Sequence, residues 1–177
     1  RDPAAKQQGL PLPHWLGPRR DKVRAYASGL DFHLSDEDFV DLFERADSLG
    51  YRAFKIKVGH ADFDRDLHRL ALLKKAVTPG SQVKIDANEA WGAKEAIIKI
   101  EAIRRAGHEL MWVEDPILRL DFECLRLLPE SVPGTLITSG AYLYAAGKRK
   151  PMAARRAEFL YRHGPVTAVV AVGRRAG

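Results

Sequence analysis

Three short stretches bring charged side chains together where chemistry could be done: Lys55-Ile56-Lys57, Asp86-Ala87-Asn88 and Glu114-Asp115-Pro116. Two residues apart on an extended strand, Lys55 and Lys57 leave the same face about 6 to 7 Å from one another. In a site with little water, two ammonium groups this close disfavour each other's charge. That lowers a lysine toward the range in which it acts as a base near neutral pH. An isolated pair of this kind is commonly a solvated edge. Here Phe54, Ile56 and Val58 claim the opposite face for packing, which turns both lysines inward. Asp86 and Glu114 close successive strand-like segments, and hard oxygen ligands lying side by side suit Mg²⁺. Asp86 alone could form an Asx turn into Asn88, and Glu114 alone could pair with a lysine. Four charged groups converging on one place favour a site.

The elements that must position these groups alternate between a period of two and one near 3.6. Strands are expected over Lys22 to Ser28, Arg52 to Gly59, Gln82 to Asn88, Glu109 to Pro116 and Thr135 to Leu143. Between them, helical stripes run from Ser35 to Gly50, Asp62 to Val77, Ala93 to Ala106, and over the segment DFECLRLLPE. Beyond lie a weak helix around Lys148 to Arg156, a strand at Glu158 to Tyr161 and the apolar run VTAVVAVG. Strand-helix repeats of this length imply parallel strands joined by right-handed crossovers. Both an open doubly wound sheet and part of a (β/α)₈ barrel fit, and in both the polar groups at the C-terminal strand ends are the functional ones.

Composition narrows the classes further. With 177 residues, 46% of them hydrophobic, the chain can bury a sizeable core. No apolar run is long enough to cross a membrane and no signal pattern opens the chain, so a cytoplasmic address is the default. Cys124, the single cysteine, excludes an internal disulfide and cysteine zinc sites. The net charge of +6 is concentrated from Lys148 onward, where eight Lys or Arg stand against Glu158. A nucleic-acid-binding tail is the alternative there, and a solvated surface is the preferred reading.

The motifs AFKIKVG, KIDANEAW, LMWVEDP and SGAYL, in this order and spacing, resemble the enolase superfamily and its mandelate racemase-like branch, which includes acid-sugar dehydratases. GLPLPHWLG followed by VRAYASG resembles the junction between that family's capping domain and its first barrel strand. The resemblance implies a partial (β/α)₈ TIM-type barrel of five to six units over residues 21–177, without its capping domain and last strands. Residues 1–20 would be the linker from that capping domain. It implies Lys57 as the base that removes the proton α to a substrate carboxylate, through an enediolate. Lys55 would bind or polarise the carboxylate together with Asn88. Asp86 and Glu114 would be Mg²⁺ ligands, and Asp115 would support them by pairing with a lysine. The implied partner is a sugar acid or 2-hydroxy acid, and the family suggests a homo-oligomer.

Three departures bear on activity. Where the family places Gly-Glu on the fifth strand this chain has Gly140-Ala141, so the third metal ligand is expected to be absent and Mg²⁺ binding weak unless compensated. Glu158 stands near the position of the acid in the branch's Asp-His dyad, and no seventh strand brings a histidine. The closing run VTAVVAVG reads as a decayed or truncated sixth repeat. The expectation is a dehydratase- or racemase-like enzyme or fragment of one. The alternatives are a non-catalytic remnant and a basic nucleic-acid-binding module.

Overall fold

The computed structural model describes residues 2–15, 17, 24–139 and 168–171. Ser35 opens the first long helix: its side chain accepts the Asp38 N–H at 3.1 Å, and Asp36, Glu37 and Asp38 place negative charge at the positive helix end. This helix, α3 (Asp36–Ser48), follows two short ones in the N-terminal segment, α1 (Asp2–Gln7) and α2 (Leu12–Trp15). The linker expected over residues 1–20 is thus partly helical. Asp62 caps α4 (Phe63–Ala76) through the Asp64 N–H, and Asp121 caps α6 (Phe122–Ser131) through the Cys124 N–H. At the start of α5 (Ala93–Arg105) the side chain of Glu95 reaches back to the Gly92 N–H.

The strands are β1 (Ala25–Ser28), β2 (Ala53–Lys57), β3 (Gln82–Asp86), β4 (Leu110–Glu114), β5 (Leu136–Thr138) and β6 (Ala168–Ala171). All pairings are parallel, in the order β5-β4-β3-β2-β1-β6. Alternating helices between parallel strands make this the α/β sheet of a partial (β/α)₈ barrel. The observed strands are shorter than the periodicity suggests because the polar strand ends, such as Asn88 and Asp115, turn into loops with positive φ.

Within the closing apolar run, residues 168–171 form a strand along β1, pairing Ala25 with Ala168 and Ser28 with Ala171. The physical reason is the open edge of β1, whose backbone groups need partners. Tyr161 and the rest of the expected late helix and strand fall outside the described residues, as do Ala141 and Glu158.

The core lies between the sheet and its helices. Phe39 and Phe43 of α3 meet Phe54 of β2, with the ring centroids of Phe39 and Phe43 4.8 Å apart and those of Phe43 and Phe54 6.1 Å apart. Ile56, Ile85 and Val113 continue this layer against Leu70, Leu73, Ile100 and Ile103. Since side chains alternate along a strand, filling this face with Phe54 and Ile56 commits Lys55 and Lys57 to the other.

Candidate active site at the C-terminal strand ends

The strand register sets the site. Lys57 is opposite Asp86, Asp86 opposite Glu114, and Glu114 opposite Thr138, so one row of side chains crosses β2 to β5. The row below runs from Ser28 through Lys55 and Lys84 to Trp112 and Leu136. Both rows point away from the helices.

Within the upper row Lys57 Nζ donates to Asp86 Oδ2 at 2.6 Å. Lys55 Nζ reaches up from the lower row to the same oxygen at 3.2 Å and to Glu114 Oε2 at 2.7 Å. Asp86 Oδ1 accepts the Asn88 N–H at 3.0 Å, the Asx turn expected from the sequence. Asn88 itself is exposed, at the mouth of the site. The four charged residues singled out from sequence are therefore brought together. Asp115 joins them: ligand oxygens of Asp86, Glu114 and Asp115 lie within 4.8 Å of one another. Its place is fixed by the backbone, since the Asp115 N–H donates to Thr138 O at 2.7 Å and its own carbonyl accepts the Glu89 N–H at 2.6 Å.

The electrostatics differ from the expectation at one lysine. Burial disfavours the charge of Lys55, but its hydrogen bond to Glu114 and the charges of Glu114 and Asp86 outweigh burial and hold it above the ordinary lysine value. The mutual lowering expected of the pair is overridden at Lys55 by the carboxylates between them. Glu114 is pushed up by burial, against the pull of Lys55. The lysine that is depressed is Lys84, brought to about 8 by burial and by the charge of Lys55.

Sequence reasoning passed over several residues. Lys84 shares a face with Asp86 by the same two-residue spacing that drew attention to the lysine pair, so the signal was present. Asp31, 2% exposed, accepts the Lys57 N–H through Oδ2 at 3.0 Å, and burial lifts its carboxyl to about 6 against that hydrogen bond. It lies in an irregular loop where no periodicity marks it. Asp66 of α4 accepts the N–H groups of Gly59 and His60, pinning the loop after β2. Glu89 binds Arg119 by a backbone hydrogen bond of 2.8 Å and an ion pair of 3.0 Å, tying the loop after β3 to the loop after β4.

The donor set fits a hard divalent cation. Three carboxylates converge, and the positive groups found on Asp86 and Glu114 are ammoniums, which show that these oxygens attract a cation. Among the described residues no helix is long and apolar enough to cross a membrane.

The family model described as enolase C-terminal domain-like matches residues 38–159. The L-Ala-D/L-Glu epimerase of Bacillus subtilis (strain 168) is 30% identical over 128 residues, which is 72% of this chain and 34% of that protein. The L-talarate/galactarate dehydratase of Salmonella typhimurium is 30% identical over 123 residues, 69% of this chain and 30% of that protein. Among solved structures, a Mesorhizobium loti protein provisionally named a mandelate racemase is 59% identical with a TM-score of 0.82, over 87% of this chain and 41% of that one. A racemase from Streptomyces coelicolor A3(2) with bound magnesium is 26% identical with a TM-score of 0.74, over 83% of this chain and 43% of that one. The chain thus spans about a third of the length of these curated relatives.

Proposed function

Since the chain belongs to the enolase superfamily, in its mandelate racemase-like branch, we propose that its strand ends serve Mg²⁺-dependent removal of the proton α to the carboxylate of a sugar acid or 2-hydroxy acid. The observation that carries this is the seating of both lysines of the Lys55-Ile56-Lys57 pair on Asp86 and Glu114. A surface pair would face water. Asp86, Glu114 and Asp115 would hold the ion, with Asp115 supplying the third carboxylate that Ala141 does not. When bound, the ion supplies positive charge that stabilises the enediolate developing on the substrate carboxylate.

The residues divide the remaining work. Lys55, buried and held charged by Glu114 and Asp86, binds the substrate carboxylate as a charged donor. Lys57, whose side chain is 20% exposed, faces the open end and takes the α-proton on Nζ. Asp31 fixes the backbone of Lys57, so the base is presented from a strand end held by a side chain as well as by the sheet. Asn88, exposed beside the site, contributes to substrate binding. In a polyhydroxy acid the electron pair left on the α-carbon expels the β-hydroxyl, which departs as water by taking back the proton held on Lys57 Nζ, and ketonisation of the enol gives a 2-keto-3-deoxy acid. In a simple 2-hydroxy acid, reprotonation returns the acid. The relative named L-talarate/galactarate dehydratase supports the first outcome and makes galactarate the substrate to try.

Isothermal calorimetry with magnesium and proton NMR of galactarate in D₂O test this together. Binding of Mg²⁺ by the wild type, lost in Asp86→Asn and Asp115→Asn, is expected, together with α-deuteration that Lys57→Ala abolishes. Absence of binding in the wild type with its appearance in Ala141→Glu would instead establish a remnant with the fold and a broken metal site.

A further inference from the structure

A cavity lies toward the opposite end of the sheet, among residues that precede or belong to β1 to β4. Its volume is about 630 Å³, within the range of small-molecule sites. Arg24, Arg52, Gln82, Lys84 and Trp112 are among its lining residues, and among the described residues no acidic one lines it. The chemistry of the wall is one-sided. Arg52 is partly neutralised, since its Nη1 donates to Asp47 Oδ1 at 3.2 Å. Arg24 and Lys84 have no ion pair among the described residues.

Lys84 is the decisive group. It is 2% exposed, and its Nζ stands 4.5 Å from the ring centroids of both Tyr26 and Trp112. Two aromatic faces offset part of the cost of burying an ammonium, but they provide neither a hydrogen bond nor a counter-charge. The nearest strongly charged neighbour along its row is Lys55, another cation. Next to it, Trp112 is 8% exposed and its Nε1 is buried without a hydrogen-bond partner among the described residues. Buried donors in folded proteins are overwhelmingly paired. Lys84, a buried cation without an anion, and Trp112, whose buried N–H lacks an acceptor among the described residues, therefore both line one cavity.

We propose that this cavity binds a small oxyanion, a carboxylate or phosphate group, with Lys84 Nζ as charge partner, the Trp112 Nε1–H as hydrogen-bond donor, and Arg24 and Arg52 as flanking cations. An oxyanion satisfies both orphaned groups at once, because each of its oxygens accepts and the whole carries negative charge. A cation is excluded by the same wall, and an apolar ligand would leave both groups as they are. The site uses groups other than those that abstract the proton, although Lys84 neighbours Lys55.

The indole N–H resonances give a local readout, since the sequence has only Trp15, Trp91 and Trp112. Titration of ¹⁵N-labelled protein with inorganic phosphate and, separately, with succinate is expected to move the Trp112 signal saturably in the millimolar range with at least one of them, which also identifies the group preferred. Arg24→Ala and Arg52→Ala are expected to weaken binding by about three- to tenfold, and Lys84→Met by more than about tenfold. Lys57→Ala, at the other strand ends, is expected to leave the titration unchanged. Should Lys84→Met fail to fold, the two arginine variants decide. An unmoved Trp112 signal with both anions up to about 50 mM, or unchanged affinity in both arginine variants, overturns the proposal.

Discussion

Replacing Asp31 by Asn removes a titration that couples folding to pH at the residue holding the backbone of Lys57. Burial raises the Asp31 carboxyl from an ordinary 3.8 to about 6. The folded chain therefore keeps a proton over a range where the unfolded chain has already lost it. For a group raised in this way, stability is fully present below the unfolded value and is lost as pH rises through the folded one. A difference of about two units at 1.36 kcal/mol each makes the loss about 3 kcal/mol between pH 3.5 and 7. Asn does not titrate, and its side-chain oxygen can still accept the Lys57 N–H. Its amide nitrogen would stand where Asp31 Oδ1 is now buried without a partner, at a cost of about 1 to 3 kcal/mol that is the same at every pH. The difference between the two unfolding free energies, from urea titrations at half-unit steps of pH, is therefore expected to shift by about 3 kcal/mol in favour of the Asp31→Asn variant as pH rises from 3.5 to 7. Other carboxylates titrate in both proteins and cancel. A shift below about 1 kcal/mol would show that Asp31 is not held in the desolvated state its burial implies.

Two further outcomes follow from packing. Gly59→Ala places a Cβ 2.6 Å from that of Ala90 and 3.1 Å from the carbonyl of Ala87, at a φ of +101°. A loss of about 2 to 4 kcal/mol in urea unfolding is expected, with weakened magnesium binding because the loops after β2 and β3 must part. Phe54→Ala empties the centre of the aromatic cluster with Phe43 and is expected to cost about 3 to 5 kcal/mol by the same measurement.

How far the sequence disclosed this arrangement can be judged residue by residue. The burial of Phe54 and Ile56 with Lys55 on the other face followed from a period of two, because a strand leaves no third choice. The helix starts at Ser35, Asp62 and Asp121 were legible because capping depends on contacts three residues away or fewer. The row Lys57, Asp86, Glu114, Thr138 was legible only as adjacency; its register depends on β2 to β5 pairing across long crossovers. Asp31 could not be found, since its role is a contact 26 residues away made from a loop. The place of residues 168–171 was hidden for a similar reason: an apolar run states that it needs a sheet edge, and β1 and β5 both offer one.

The two lysines of the pair illustrate what spacing alone leaves out. Along the chain they are equivalent, each flanked by apolar residues and each turned to the same face. In three dimensions Lys55 stands one row lower, where it meets two carboxylate oxygens and the ring of Tyr26 5.7 Å away. Those contacts stabilise the ammonium and resist its loss of a proton. Lys57 stands at the open end, with a single carboxylate contact at Asp86 and access to water. A group that must stay charged to hold a carboxylate is favoured by such contacts. Two residues of strand separate the two lysines, and the row below supplies the difference, because it is there that Glu114 and Asp86 are both within reach of a single ammonium.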